Sequence, residues 1–456
     1  MQSNPGTKTT PSAKRRFQLR FLILAAAIWH VSITLGVFMA GKYQLTPGQI
    51  HPSGIGRFAS DGLIYQDQVA ELCEILKNDG LLAWATWPTQ LHVRLYSLPL
   101  FVVSRWVGFN ILTIEPLNLI YYLAILILVF RLGEAVFDYR AGLIAAGIVA
   151  LWPSFLIHTT QLLRDPLLVL AVLVVIWTII ESLRTDLRWR RGLLMGIAAC
   201  AAVVVIRIVR QPMWYLMMAA VAGGTVLLLF HAVRARHLAV GAALFVLLLV
   251  AAIIVTPRFQ PYFHNQQESR IPTPLRQDVD SLPIPEQISA RRHGFRLRLK
   301  DGKIVPAIDG SRIDPDVNLD DPGAIVRHLP RAVMVGFLAP FPNMWWQTGT
   351  QVGANGRLVS GFETLLTYML ECFALFGLWR GRRNPSAWLI FGFTALGIVA
   401  LGLVVNNVGA LYRLRYPFWT LMVILAAGGL ELVCTRLSKA DKSLDNPATR
   451  EHTPID

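Results

Sequence analysis

The chain alternates long apolar runs with short polar turns. A helix needs roughly 20 apolar residues to cross the hydrocarbon core of a bilayer, and ten runs approach that length. They fall at about 19–40, 116–131, 141–158, 166–182, 192–209, 212–230, 238–255, 361–378, 386–405 and 417–434. The second is short. Two segments break the rhythm. In 41–115 an amphipathic stretch runs from Tyr65 to Leu76, followed by Trp84, Trp87 and a semi-apolar run from Leu91 to Val107 interrupted by Arg94, Pro99 and Arg105. That pattern predicts helices lying along the membrane interface, where tryptophans anchor. The second segment, 256–330, is rich in Pro, Arg and Asp and predicts only a small hairpin around Phe295–Pro306, with Asp301-Gly302 as its two-residue turn. After it, Val333 to Trp346 is apolar but split by Pro340 and Pro342, which predicts a re-entrant or interfacial element.

Composition agrees with the pattern. Of 456 residues 54% are hydrophobic and 16% charged, with mean hydropathy +0.48, too apolar for a water-soluble domain of this length. The expected fold class is an all-α polytopic membrane protein of about ten transmembrane helices, with a long first outer loop carrying interfacial helices and a small irregular outer segment. The basic clusters set its orientation, because short cytoplasmic loops carry the excess of Lys and Arg. Lys14-Arg15-Arg16, Arg131 and Arg140, the 184–191 group, Arg234 and Arg236, the 380–383 group, and Arg436 with Lys439 and Lys442 all fall on one side. Both termini are then cytoplasmic, and 41–115, 159–165, 210–211, 256–360 and 406–416 face outward. The expected organisation is a cytoplasmic tail (1–16), a catalytic transmembrane module (17–255), an outer loop with a re-entrant segment (256–360), C-terminal transmembrane helices (361–434) and a disordered cytoplasmic tail (435–456).

The net charge of +15 is partly this topological bias. No basic stretch is interleaved with aromatics, so no nucleic-acid partner is expected. The first run is longer than a signal-peptide core, and Met39-Ala40-Gly41-Lys42 offers no small-x-small cleavage site, so it is expected to be a retained helix. Cys200 and Cys372 lie inside predicted helices, Cys434 at a cytoplasmic end, and only Cys73 lies outside, a distribution that gives neither a disulfide framework nor a zinc site.

Candidate chemistry gathers at the outer boundary, where charge is costly unless used or paired. Asp61 precedes the amphipathic stretch in Ser60-Asp61-Gly62-Leu63-Ile64-Tyr65. A carboxylate there can take a proton from an attacking hydroxyl, though a solvated loop aspartate or helix cap reads equally from the residue alone. Asp67 belongs to the solvated face of the same stretch. Asp165, in Leu163-Arg164-Asp165-Pro166, has the form of a helix N-cap followed by proline, and a short outer turn holds it near Arg164 and His158. Arg207 and Arg210 are three apart and share a helix face. Arg413 and Arg415 stand in Tyr412-Arg413-Leu414-Arg415-Tyr416-Pro417. Two guanidinium-bearing rims near a carboxylate suit a phosphate at the bilayer surface; anchoring of lipid headgroups is the plainer alternative.

The order of these features resembles the GT-C class of membrane glycosyltransferases that use polyprenyl-phosphate sugars, the group holding the bacterial relatives of protein O-mannosyltransferases and the aminoarabinose transferase of lipid A. The matching residues are Asp61, Tyr65 and Ala70 in the first outer loop, Leu151-Trp152-Pro153-Ser154, Leu162-Leu163-Arg164-Asp165-Pro166, and Tyr412 to Pro417. The likeness covers roughly 17–230 and the end of the chain, and 256–330 matches nothing in it. It implies a catalytic carboxylate at Asp61 and a second acidic position at Asp165. The substrate contacts expected at this rim are Tyr65, His158, Arg164 and Tyr412, with the donor phosphate against Arg207, Arg210, Arg413 or Arg415. Gly62 stands where the family often has a second acidic residue, and relatives using lipid monophosphates commonly dispense with a metal. No metal or other cofactor is therefore expected, with a divalent metal as the alternative.

The implied activity is inverting transfer of a sugar from a polyprenyl-phosphate donor to a glycan, lipid or protein acceptor, on the outer face of a bacterial inner membrane. Membrane lipids are the remaining partner. Other classes remain open: a polysaccharide polymerase or ligase using a polyprenyl-diphosphate donor, a transporter or flippase of lipid-linked substrate, or a structural assembly partner. The transporter is disfavoured because the chain shows no repeat symmetry and its charges gather at one rim instead of the midplane.

Overall fold

The computed structural model describes residues 11–59, 61–183, 187–235, 240–256, 282–294, 297–300, 303–306, 312–346 and 353–444. These form an all-α membrane-type bundle with one small hairpin. The helices are α1 (Pro11–Lys42), α2 (Asp61–Asn78), α3 (Gly80–Thr86), α4 (Leu91–Val107), α5 (Ile111–Val136), α6 (Tyr139–Leu151), α7 (Pro153–Thr159), α8 (Asp165–Ser182), α9 (Trp189–Val209), α10 (Met213–Ala235) and α11 (Val240–Val255). After them come α12 (Ile284–Gly294), the strands β1 (Leu297–Lys300) and β2 (Lys303–Pro306), α13 (Pro322–Leu338), α14 (Gly353–Arg380), α15 (Pro385–Val404), α16 (Val408–Leu414) and α17 (Tyr416–Leu444).

Among the described residues eight helices are long and apolar enough to cross a membrane, or nine if α6 and α7, bent by 67°, count as one span. The shorter apolar helix α11 accounts for the remaining run, 238–255. The second run is longer than expected. Asn110 starts α5 five residues before Pro116 by accepting from the Leu112 amide at 2.9 Å. Glu115, just outside the expected run, is buried inside the helix because His30 and Thr34 of α1 bond its two oxygens, each at 2.8 Å. His30, fully buried, also meets Thr159 Oγ1 at 3.1 Å. That satisfied network docks α1 onto α5 and the end of α7, as burial of ionisable groups requires.

The core centres on α8 and α17. From Tyr416 to Gly429 α17 is buried all round, as expected of a helix enclosed by others. It approaches α14 so closely that a Cβ on Gly377 would lie 1.8 Å from the Leu425 carbonyl oxygen and one on Gly429 2.0 Å from that of Phe373. Only glycine permits this spacing.

The first long loop is ordered as expected, with a 3-10 turn at Arg57–Ala59 before α2. Helix α2 buries Tyr65, Val69, Leu72 and Ile75, one stripe of an amphipathic helix. Helix α4 continues through Pro99 and buries His92, Val93, Tyr96, Ser97 and Leu100. In the second loop β1 and β2 pair antiparallel, with Leu297 opposite Pro306 and Lys300 opposite Lys303. The Asp301-Gly302 turn lies outside the described residues, as does much of 256–281. Arg292 of α12, 1% exposed, donates to the carbonyls of Leu403 (3.0 Å) and Asp314 (2.9 Å) and fastens this loop over the end of α15. Helix α13 packs along α15 before the Pro340–Pro342 element. At the chain's end α17 continues to Leu444, past the expected boundary at 434, and the remainder of the expected tail lies outside the described residues.

Two ends of the bundle are chemically distinct. At the basic end Arg380 bridges Asp138 (2.5 Å) and Glu431 (2.7 Å), and Arg15 stacks over Tyr139. The 380–383 turn, the α5–α6 turn and the start of α1 therefore meet there, as the clustering of Lys and Arg predicts. The opposite end holds Asp61, Asp165 and a set of arginines.

Candidate functional site

The break in the third span builds this end. Pro153 has no N–H to continue α6, and Trp152 takes an extended conformation (ψ 114°), so the chain turns and restarts as α7. A new helix start leaves backbone N–H groups unpaired. Here the Ser154 amide donates to Glu363 Oε1 of α14 at 2.7 Å. Residues 159–161 are buried and their polar groups are met from elsewhere. Asn118 donates to the Gln161 carbonyl (3.2 Å), Tyr96 to that of Leu163 (3.0 Å), and Gln161 Oε1 accepts from the Gly56 amide (2.8 Å). The turn delivering Arg164 and Asp165 is thereby pinned by α4, α5 and the first loop.

Asp165 is the first residue of α8, an acid in its first turn, and Arg164 at the cap position makes no side-chain capping hydrogen bond. Its carboxylate is 6% exposed and acts on both Arg413 and Arg210.

Asp61, first residue of α2, accepts from Arg413 Nη2 at 2.7 Å. Its side chain is 41% exposed and that of Arg413 18%, so the pair sits at a rim open to water. Burial alone would raise the Asp61 pKa. Arg413, with Arg164 and Arg210 behind it, outweighs burial and holds the carboxyl below its ordinary value. Burial likewise disfavours the Arg413 charge, but Asp165 and Asp61 raise its pKa overall. Arg210 is pushed down to about 10 by burial and the like charge of Arg164, and stays cationic at neutral pH. Gly62 lies against the 160–164 turn, where a Cβ would stand 3.3 Å from the Leu162 carbonyl oxygen and 3.2 Å from Ile55 Cγ2. A second carboxylate at 62 would press on the segment that carries Asp165.

Six of the sequence candidates thus converge: Asp61, Tyr65, Arg164, Asp165, Arg210 and Arg413. Tyr65 is buried with its ring edge-on to His92 at 4.4 Å. The other four bond elsewhere, although His158 is close enough to Arg413 and Asp165 to feel both charges. Arg207 sits over the Trp214 ring at 5.4 Å. Arg415, 6% exposed, donates to the Ala339 carbonyl at 2.7 Å. Tyr412 donates to Glu363 Oε2 at 2.5 Å. His158 Nδ1 meets the Ser154 carbonyl (2.7 Å) and the Tyr416 hydroxyl (2.9 Å).

Two residues were missed in the sequence. Glu363, 1% exposed, ties the start of α7 to the tyrosine beside Arg413. Its signal was a carboxylate inside an apolar run, which is costly unless paired. His92 is 1% exposed, and among the described residues neither ring nitrogen has a hydrogen-bond partner. Burial and then Arg164 push its pKa well below the ordinary value, so it is neutral at pH 7.

A groove of about 530 Å³ opens beside the cluster. Arg210 and Arg291 stand on it, and Met213, Leu216, Val404 and Leu414 form apolar walls between α10, α12 and α15. Three guanidinium groups (Arg164, Arg210, Arg413) against two carboxylates leave the neighbourhood with one excess positive charge. That balance suits an anion more than a cation. Among the described residues no three His, Cys, Asp or Glu side chains are grouped as metal ligands.

No family model matches the chain, and no curated protein matches it. Among solved structures the chain resembles an archaeal oligosaccharyltransferase, AglB from Archaeoglobus fulgidus, in complex with an inhibitory peptide and a dolichol-phosphate. The TM-score is 0.48 at 13% identity, over 96% of this chain and 53% of that one, so this chain spans about half the length of that protein. A likeness this distant transfers no activity.

Proposed function

We propose that the chain is a membrane glycosyltransferase that moves a sugar from a polyprenyl-phosphate donor to a hydroxyl acceptor on an envelope glycan, lipid or protein. The observation that carries the reading is the Asp61–Arg413 pair clustered with Arg164, Asp165 and Arg210, the last of which also lines an apolar groove. A carboxylate at an open rim, a guanidinium cluster and an apolar channel are what a reaction between a hydroxyl and a lipid-phosphate sugar needs.

The donor's isoprenoid tail lies in the groove and its phosphate against Arg210 and Arg413. Asp61 takes the proton of the acceptor hydroxyl as that oxygen bonds to the anomeric carbon on the face opposite the phosphate. The bond from the anomeric carbon to the phosphate oxygen breaks, and the polyprenyl phosphate leaves with the electron pair and its new charge. That charge develops beside the arginines, where pre-set cations lower the barrier most. The anomeric configuration inverts. Asp165 holds Arg413 and Arg210 in place, and the basic end of the bundle faces the cytoplasm of a bacterial inner membrane.

The test is transfer of labelled sugar by purified protein from a panel of polyprenyl mono- and diphosphate donors, wild type beside Asp61→Asn. A general base contributes about 10²–10⁴-fold, so Asn should lower turnover at least about a hundredfold while the helical content stays constant. Full activity in a folded Asp61→Asn protein removes the base from Asp61. Transfer from diphosphate donors alone identifies a polymerase or ligase instead.

A further inference from the structure

The basic end of the bundle, opposite Asp61, carries a second and larger recess of about 1500 Å³. Its walls are apolar: Ile127 and Leu128 of α5, Trp177 of α8, and Leu227 and Phe230 of α10. Its rim carries Arg131, Arg191 and Arg383, drawn from three separate parts of the chain. Arg191 is ion-paired with Glu181, whose side chain is 8% exposed, and so is fixed to the wall. Arg131 meets Glu134 at 3.3 Å with both side chains in water, a pairing of little strength. Arg383, in the turn between α14 and α15, has no carboxylate partner among the described residues. Three cations thus face two anions over a mouth whose interior is hydrocarbon-like.

A soluble anion would satisfy the rim and leave the apolar walls unused; an uncharged lipid would do the reverse. We propose that this recess binds one anionic phospholipid, its headgroup phosphate on Arg383 and Arg131 and its acyl chains against Trp177, Leu227 and Phe230. The site is separate from the Asp61 cluster, and the proposal does not depend on glycosyl transfer. A lipid wedged between α5, α8 and α10 would also brace the helices at this end.

The experiment is native mass spectrometry of the full chain in detergent, titrated with phosphatidylglycerol, with phosphatidylcholine of the same acyl chains, and with inorganic phosphate alone. One phosphatidylglycerol should be retained per chain, about tenfold or more tighter than phosphatidylcholine, with no effect of millimolar phosphate. Arg383→Gln, at an exposed position, should weaken phosphatidylglycerol about fivefold, and Arg131→Gln with Arg383→Gln about 25-fold, leaving phosphatidylcholine unchanged. Melting of the lipid-free variants is measured alongside, and the single variant serves if the double one does not fold. Equal retention of the two lipids, or unchanged phosphatidylglycerol affinity in a folded variant, overturns the proposal. Displacement of the lipid by inorganic phosphate makes the rim a free-anion site and overturns it as well.

Discussion

At the scale of single residues the site is an arrangement of charges that hold one another. Asp61 keeps its negative charge through the neutral range because Arg413 bonds it, and the nearby charge of Asp165 favours the cationic form of Arg413 in turn. The native Asp61 pKa is depressed, so the stabilisation from this pair is fully present above the unfolded value of about 3.9 and is lost as pH falls through the native value. Its 41% exposure keeps that contribution small. Under the proposed mechanism the acid limb of the rate profile should lie below about pH 4 and move upward in Arg413→Gln, where the cation no longer favours the carboxylate. A limb that stays in place would separate it from Asp61. Glu363 offers a stability test. Glu363→Ala leaves the Ser154 amide and Tyr412 hydroxyl without their acceptor and should cost about 1–3 kcal/mol. Glu363→Gln keeps an acceptor for one of them and should cost less, as read from thermal unfolding in detergent.

At the scale of elements, local breaks do the positioning. The Trp152-Pro153 bend turns the end of the third span, and the 160–164 turn that follows lies against α2 at Gly62. Valine at position 62 has to displace Leu162 or Ile55, so Gly62→Val should destabilise by about 1–3 kcal/mol. It should also lower turnover by shifting Asp61 relative to Asp165, with Gly62→Ala intermediate. Equal activity of all three forms would show that the spacing of α2 and the turn is immaterial. Helix α12, from the loop outside the family likeness, is held by Arg292 and lines the groove beside Arg210.

At the scale of the whole molecule, the two ends sort by chemistry. The basic turns join through Arg380, Asp138 and Glu431, and the candidate site lies at the far end. With the basic end facing the cytoplasm, a membrane-impermeant thiol reagent should label Asp79→Cys in intact cells and Arg382→Cys only after permeabilisation, in a background lacking the four native cysteines. The reverse pattern would invert the assigned orientation and move the proposed chemistry to the cytoplasmic face.

The all-α membrane class, the ten apolar runs and the common end of the basic turns were legible in the sequence, because each depends on the length and periodicity of apolar runs and on local charge. The convergence of Asp61, Asp165, Arg164, Arg210 and Arg413 was legible only as a shared boundary. Packing decided that Arg413 meets Asp61 while Arg415, two residues on, turns to Ala339, since residues two apart point to nearly opposite sides of a helical turn. Packing also let Glu115 and Glu363 sit inside apolar helices, because partners as distant as His30 and Ser154 satisfy them. Sequence patterns read what a residue costs in the membrane; only the tertiary structure supplies the partner that offsets that cost.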